Sequence, residues 1–217
     1  MADFTSQRTM MVDTQIRPSD VTKFPIIDAM LTVPREQYVP ASLRLTAYMD
    51  GLLNLGGGRA MIEPRVLAKM LDALDIQPSE LVLDLGCGLG YSAAVIAQLA
   101  QAVVAVEEDA TMAAEAESSL GAAGVDNVAV ITAPLADGAP QHGPYDVIVL
   151  QGGAEMLPDS LVAQLKEGGR IACLMIEGNL GTCKIGLKTG DKISWRSAFN
   201  ATAPILPGFY NTPAFQF

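Results

Sequence analysis

The segment LVLDLGCGLGY, residues 81–91, places alternating glycines between an apolar run and an alanine-rich stretch. The apolar run predicts a buried β-strand over Leu81–Leu85, and residues 91–99 predict a helix. At such a junction in an α/β protein, ligands lie outside the carboxyl ends of the strands. Glycine lets the backbone approach the ligand, and unpaired N–H groups at the helix start supply donors. The segment therefore predicts an α/β fold with a ligand site at the turn.

The chain from Pro64 onward repeats this alternation of apolar runs and helical patterns. Buried strands are predicted at 102–106, 128–132, 146–150 and 170–176, and helices at 64–74, 111–120 and 160–165. Strands that are apolar throughout are typical of a parallel sheet covered on both faces. Residues 182–188 and 193–199 instead predict two antiparallel strands. The predicted fold class is therefore α/β, with a Rossmann-like, mostly parallel sheet, helices on both faces and antiparallel C-terminal strands.

We expect three segments within one domain. Residues 1–60 predict an N-terminal helical cap of short helices, with a proline-bounded connector at 33–40 and a flexible glycine segment at 55–59. Residues 61–178 form the ligand-binding α/β core, and residues 179–217 form an antiparallel extension of the same domain.

The C-terminal ending is predicted to be irregular, because Pro204, Pro207 and Pro213 interrupt regular structure. It is also apolar for a tail, with residues 205–209 and Phe215-Gln216-Phe217. We expect it to dock on its own domain or on a partner.

Composition excludes several classes of partner. The net charge is −10 and no run of Lys or Arg is present, which argues against a nucleic-acid partner. Three cysteines without a CxxC pair indicate a reducing compartment, and hence a cytoplasmic protein without disulfides. The single histidine, His142, is a poor metal ligand on its own, so no metal site is predicted. With no signal peptide and no long apolar stretch, no membrane span is predicted either. Nothing indicates an oligomeric state.

The spacing of the glycines separates nucleotide-binding classes. The nicotinamide fingerprint is GxGxxG, whereas Gly86, Gly88 and Gly90 follow a GxGxG spacing, preceded by Asp84. The chain contains no GxxxxGK[ST] phosphate-binding loop. Glu107 ends the second predicted strand, where a carboxylate can accept both hydroxyls of a ribose. Alternatively, Glu107 and the two acids after it form a solvated loop that caps a helix.

The order acid-x-Gly-x-Gly-x-Gly resembles the first motif of the class I S-adenosylmethionine-dependent methyltransferases. In that family the turn contacts the methionine part of the cofactor, and the initial acid contacts its amino end, directly or through water. The resemblance implies S-adenosyl-L-methionine as cofactor. It implies cofactor contacts from Asp84, Gly86, Cys87, Gly88, Gly90, Tyr91 and Glu107.

A longer resemblance points to one family of this class. VPREQYVP (33–40), VLDLGCGLGYSAA (82–94), PYDVIV (144–149) and QLKEGGR (164–170) are similar to signatures of the protein-L-isoaspartate O-methyltransferases. The first of these is the most specific, because general methyltransferases lack it. The resemblance implies carboxyl O-methylation of isoaspartyl residues in damaged proteins, and so a peptide or small acidic acceptor.

Two positions depart from the family pattern. The family carries a Ser or Thr at its active site, two residues before a proline, and the matching position here is Ile62, before Pro64. An isoleucine side chain forms no hydrogen bond, so no catalytic residue is assigned. The family's Gly-Asp-Gly at the adenine end is replaced by Ala133-Pro134-Leu135. We expect adenine to pack against Leu135. The alternatives are a methyltransferase with another acceptor, or an inactive cofactor-binding or scaffold module.

Several further residues have open roles. Tyr91 is expected either to line the cofactor pocket or to pack at the helix start. Gln151 is expected to make a strand-end hydrogen bond, or alternatively to supply a substrate-side group. Arg59 and Glu63 lie near the expected acceptor site and are expected to be surface charges. Cys87 is expected to be a small turn residue rather than a nucleophile. Trp195 is expected in the core.

Overall fold

A seven-stranded mixed sheet forms the centre of the protein in the computed structural model, which describes residues 3–211. The strands of this sheet are β3 Leu81–Leu85, β4 Ala102–Glu107, β5 Val128–Thr132, β6 Tyr145–Ala154, β7 Leu165–Glu177, β8 Leu180–Thr189 and β9 Lys192–Asn200. Their order is β5-β4-β3-β6-β7-β8-β9. The pairs from β5 to β7 are parallel, and β8 and β9 add to the edge in antiparallel fashion. The predicted fold class is thereby confirmed.

The register of β3 and β4 brings the two predicted acidic positions to one edge of the sheet. Leu85 pairs with Val106, so Glu107 directly follows the end of the ladder. The N–H groups of Gly86 and Cys87 both donate to the carbonyl of Val106, at 2.8 and 3.3 Å. The glycine turn is therefore fastened to the strand that carries Glu107.

Two apolar cores lie on opposite faces of the sheet, because neighbouring residues in a strand point to opposite sides. Val82 belongs to one core and Leu83 to the other. The first core takes residues from all five longer helices, which are α1 Phe4–Met11, α2 Phe24–Thr32, α3 Pro64–Leu74, α4 Tyr91–Ala97 and α5 Ala110–Ala122. The second core is closed by the short helix α6 Asp159–Ala163 and by Leu206 and Phe209.

The helix starts follow local rules. Pro64 occupies the first turn of α3, where its missing N–H costs no internal bond. The side chain of Asp109 accepts hydrogen bonds from the N–H groups of Thr111 and Met112, which caps α5. None of the helices between residues 3 and 211 is long and apolar enough to cross a membrane.

The segment at 55–59 differs from the prediction of a flexible stretch. It is the turn of a β-hairpin in which β1 Leu53–Gly56 pairs with β2 Arg59–Met61. Gly56, Gly57 and Gly58 all have positive φ angles, which close the turn where other residues would be strained. The glycines thus shape a tight turn rather than a loose loop.

The C-terminal segment docks on its own domain, as one of the two expected modes. The N–H of Gly153 donates to the carbonyl of Pro204 at 2.8 Å, and the N–H of Leu206 donates back to Gly153 at 2.9 Å. Leu206 and Phe209 are buried. Pro213 and the expected docking of 215–217 lie outside the described residues, and the three-segment division of the chain stays a prediction.

Candidate cofactor site

The glycine turn has the backbone geometry that its composition predicts. Gly86, Gly88 and Gly90 have φ angles of +79°, +56° and +96°. Residues with a Cβ rarely adopt these angles, so each position requires glycine. The turn leads directly into α4, whose first residue is Tyr91.

Asp84 lies at the end of β3 and is fully buried. Its carboxylate accepts hydrogen bonds from Ser92 Oγ and from Gln151 Nε2, both at 2.6 Å. Burial raises the pKa of Asp84 to about 6, although both hydrogen bonds act in the opposite direction. Gln151 therefore makes the expected strand-end hydrogen bond, and it does so to the acid of the turn.

Glu107 lies beside the turn and is also fully buried. Its Oε2 accepts from the N–H of Gly88 at 2.8 Å. Its Oε1 accepts from the N–H groups of Glu108 and Asp109 at 2.9 and 3.3 Å. The carboxylate faces inward onto the glycine turn, so Glu107 is not part of a solvated loop.

Arg59 of the hairpin completes the partners of Glu107. Its Nη2 lies 2.9 Å from Oε2 and its Nε lies 3.3 Å from Oε1, which forms a two-point ion pair. Arg59 is only 5% exposed, so the expectation of a surface charge was wrong. The hairpin places the guanidinium of Arg59 against Glu107, although the two residues are 48 positions apart in the sequence.

The space that the glycines leave free beside the turn is filled by side chains from other parts of the protein. A Cβ built on Gly86 would lie 2.5 Å from Arg59 Nη2 and 3.3 Å from Leu206 Cδ2. A Cβ built on Gly88 would lie 2.8 Å from Leu55 Cδ1. The hairpin and the C-terminal segment therefore cover the turn in this conformation.

A narrow cavity remains between the turn and the N-terminal cap. Its walls include Arg35, Ile62, Gly86, Gly88, Tyr91, Ser92 and Gln151. The volume of the cavity that is open to the centre of a water molecule is about 20 Å³, which is room for about one water. Asp84 lies one hydrogen bond behind this wall, because both of its partners line the cavity.

Arg35 is the most unusual residue of the cavity. It is completely buried, its Nε and Nη2 donate to the carbonyls of Ala47 and Ile62 at 2.8 Å, and its guanidinium lies 4.7 Å from the ring centre of Tyr91. Its Nη1 has no hydrogen-bond partner in the described part of the chain. A buried donor without a partner is costly, so it marks a position where a ligand or a water belongs.

Other predicted residues are distributed unevenly around this site. Tyr91 both lines the cavity and packs, since it is 1% exposed and its ring lies 6.0 Å from that of Tyr38. Cys87 lines the cavity, and burial raises the pKa of its thiol, which disfavours the nucleophilic thiolate. Leu135 is fully buried in the second core and does not line the cavity, so its contact with adenine stays a prediction.

Two further residues with predicted positions, Glu63 and Trp195, lie outside the site. Glu63 is partly exposed and pairs with Arg65 at 3.0 Å, as expected for a surface charge. Trp195 is 41% exposed on the terminal strand β9, so the prediction of a core position was wrong. An edge strand has one neighbour only, and less of its surface is covered.

Two contributors were not recognised from the sequence. Ser92 directly follows Tyr91, and its hydroxyl reaches back to Asp84 across the first turn of α4. Arg35 stands in the VPRE segment that carried the family resemblance, and this segment was the available signal for it. Its burial depends on contacts 12 and 27 residues away, which no local pattern encodes.

Comparison with solved structures defines the fold. The chain superimposes on a protein-L-isoaspartate O-methyltransferase with a TM-score of 0.81, over 93% of this chain and 66% of that one, at 24% identity. A second match is a putative enzyme of the same name from Plasmodium falciparum in complex with S-adenosyl-L-homocysteine, with a TM-score of 0.78 at 18% identity, covering 95% and 99% of the two chains. The fold is that of a class I methyltransferase.

Sequence comparison defines the family. The profile of the protein-L-isoaspartate(D-aspartate) O-methyltransferases matches residues 6–193. Protein-L-isoaspartate O-methyltransferase 1 of Rhodopseudomonas palustris (strain HaA2) is 40% identical over 168 residues, or 77% of this chain and 69% of that protein. The enzyme of Syntrophus aciditrophicus (strain SB) is 39% identical over 171 residues, or 79% and 78% of the two chains. This chain belongs to the protein-L-isoaspartate O-methyltransferase family.

The cofactor of this family is S-adenosyl-L-methionine, and the described residues fit its two ends unequally. The glycine turn, the unpartnered Nη1 of Arg35 and the buried carboxylate of Asp84 would suit a group that carries both charges, as the amino-acid end of this cofactor does. Glu107 would suit a ribose only if Arg59 left it.

Proposed function

We propose that this chain is an S-adenosylmethionine-dependent O-methyltransferase that acts on the carboxylate of isoaspartyl residues in peptides. The observation that carries the proposal is the cavity beside the glycine turn, with Arg35 and its unpartnered Nη1 in the wall and the carboxylate of Asp84 behind it. Family membership supports the same activity.

The roles of the residues follow from charge. When bound, the cofactor supplies a methyl group on a positively charged sulfur, and an acceptor carboxylate displaces that sulfur without any proton transfer. The protein therefore needs to align two groups and to exclude water, rather than to provide a general base. Asp84 attracts the cofactor's ammonium group, together with Gln151 and Ser92. The three side chains are buried, which keeps this attraction strong.

Arg35 is the candidate for holding a carboxylate. Two of its nitrogens are fixed by backbone carbonyls, so the guanidinium is pre-oriented and Nη1 is left without a hydrogen-bond partner among the described residues. Its two possible ligands are the cofactor's carboxylate and the carboxylate of the acceptor. The Ala47 and Ile62 carbonyls that it contacts carry no charge, and within residues 3–211 Arg35 forms no salt bridge, so a bound carboxylate would give it an ionic partner.

Ile62 favours a second candidate, a methyltransferase with a different acceptor. Its side chain is 3% exposed and lines the cavity, where the family resemblance places a hydroxyl. A site discriminates strongly through a hydrogen bond to its substrate and weakly through an apolar contact. An apolar wall at position 62 therefore supports a less polar or differently held acceptor.

The experiment is transfer of a labelled methyl group from S-adenosylmethionine to an isoaspartyl peptide, with the matched aspartyl peptide as control. We expect base-labile label in the isoaspartyl peptide only. Cofactor binding without transfer to either peptide would favour another acceptor. Folded protein with neither binding nor transfer would contradict the enzyme and leave the scaffold alternative.

The expected compartment is the reducing cytoplasm. All three cysteines, Cys87, Cys173 and Cys183, are free and buried, which supports this inference.

A further inference from the structure

The β1–β2 hairpin, residues 53–61, lies over the glycine turn at the side of Glu107. Leu55 Cδ1 occupies the space next to Gly88, and the Arg59 guanidinium occupies the space next to Gly86. These are the positions that glycine leaves free for close approach to the backbone. The hairpin therefore stands where a ligand of the turn has to lie.

Glu107 has no acceptor capacity left for a ligand in this conformation. Two carboxylate oxygens offer about four lone-pair sites. Three backbone N–H groups and two nitrogens of Arg59 already donate to them. A ribose hydroxyl can donate to Glu107 only after Arg59 gives up its place.

The hairpin can open at its tip, while Leu53 and Met61 at its base stay buried in the first core. β1 and β2 pair with each other in a separate two-stranded sheet, not with the central sheet. Its tip, Gly56–Gly57–Gly58, is exposed, and Cβ atoms built on Gly56 and Gly58 would meet nothing within 4 Å. The ion pair of Arg59 with Glu107 is thus the main polar link between the hairpin and the turn. Moving it breaks few backbone hydrogen bonds.

We propose that Arg59 is the affinity-determining residue of the cofactor site. It competes with the nucleoside for Glu107, and the hairpin is a lid that has to move before the nucleoside end can bind. This inference rests on the proposed function, because it takes the Glu107 side of the turn as the nucleoside half of the site. The affinity for cofactor then equals the affinity of the open form multiplied by the fraction of open molecules.

The test is a calorimetric titration of the full chain with S-adenosyl-L-homocysteine, which binds without turnover. Arg59→Gln removes the charge and keeps a hydrogen-bond donor on a shorter side chain, and Arg65→Gln is the matched control in the exposed pair with Glu63. We expect Arg59→Gln to bind about tenfold more tightly than the parent, and Arg65→Gln to stay within about twofold. Circular dichroism and thermal unfolding establish that each variant is folded.

A measurement on the unaltered protein covers the case in which Arg59→Gln does not fold. Hydrogen exchange of residues 53–61 should accelerate when the protein is saturated with S-adenosyl-L-homocysteine, because the lid has left the turn. Unchanged or slower exchange there would overturn the lid.

The outcomes separate the two proposals. A parent that binds as tightly as, or more tightly than, folded Arg59→Gln overturns the role of Arg59 and leaves the proposed function intact. Folded parent and Arg59→Gln that both fail to bind overturn the proposed function and the lid together.

Discussion

At the Asp84 end of the glycine turn the chain leaves polar groups ready for a ligand, whereas at the Glu107 end it satisfies them itself. Asp84 is held by two neutral donors and Arg35 has an unpartnered nitrogen. Glu107 is paired with a cation and with three backbone donors. Both acids are equally buried.

A binding motif can therefore be present where its polar groups are already paired within the protein. Each end of the turn has one buried acid, but the neighbours of that acid decide how costly its charge is and what it binds. A buried ionised group without a charged partner is strained, whereas a buried ion pair with further hydrogen bonds is self-sufficient.

The largest expected difference is in stability. Glu107→Gln removes the charge that compensates Arg59, and it replaces one acceptor oxygen by an NH2 group that faces N–H donors. We expect it to lower the free energy of unfolding by about 3–5 kcal/mol. Asp84→Asn should instead raise the free energy of unfolding at pH 8.

The sign for Asp84 follows from its pKa. Burial raises that pKa to about 6, above the ordinary value of 3.8. The ionised form therefore opposes folding above pH 6, and this penalty disappears as the pH falls toward the ordinary value. Urea unfolding of both variants at pH 8 checks the prediction, and equal losses of stability would remove the contrast between the ends.

The next effect is the pH dependence of cofactor affinity. Only the ionised form of Asp84 attracts an ammonium group, and its pKa is about 6. We expect the affinity for S-adenosyl-L-homocysteine to fall about tenfold from pH 7 to pH 5. The same titrations with Asp84→Asn should be nearly flat over this range. A slope that persists in Asp84→Asn would mean that another group controls it.

A substitution of Arg35 tests whether a carboxylate binds there. Arg35→Lys keeps the positive charge but loses the planar guanidinium and its free Nη1. The loss of one such hydrogen bond costs about 1 kcal/mol, or roughly fivefold in affinity. Steady-state kinetics separate its ligands, because a higher KM for cofactor or for peptide identifies which carboxylate it holds. Arg44→Lys, at an exposed position of the 3₁₀-helix Ala41–Thr46, is the control and should change neither KM.

The smallest expected effect is that of Leu55→Ala. It removes the apolar contact over Gly88 but leaves the ion pair of Arg59 intact. We expect S-adenosyl-L-homocysteine to bind about threefold more tightly, because the closed hairpin loses part of its packing. Leu45→Ala, at a position 72% exposed, should bind like the parent. If Leu55→Ala tightened binding as much as Arg59→Gln does, packing rather than the ion pair would hold the hairpin closed.

The fold was largely predictable from sequence because its signals are local. The apolar runs give the parallel strands, and the glycines give the turn at β3, since both depend on neighbouring residues only. The hairpin was not recognised, because three consecutive glycines indicate flexibility as readily as a tight turn. The pairing of Arg59 with Glu107 joins residues 48 positions apart, and a single sequence does not encode such contacts in any local pattern.

The site was predictable in part for the same reason. The acids at strand ends follow from the positions of the strands, so both were found beside the turn. Whether an acid is free or already paired depends on long-range neighbours. Arg35, which was not predicted at the site, lines the cavity, whereas Leu135, which was expected to contact adenine, lies in the second core.

The most direct measurement compares two ligands that differ only at the amino-acid end, S-adenosyl-L-homocysteine and 5′-methylthioadenosine. The account predicts that Arg59→Gln tightens the binding of both ligands by the same factor, and that Asp84→Asn weakens only S-adenosyl-L-homocysteine. If Asp84→Asn weakened both ligands equally, or Arg59→Gln tightened neither, the division of the site into a ready end and a closed end would be contradicted.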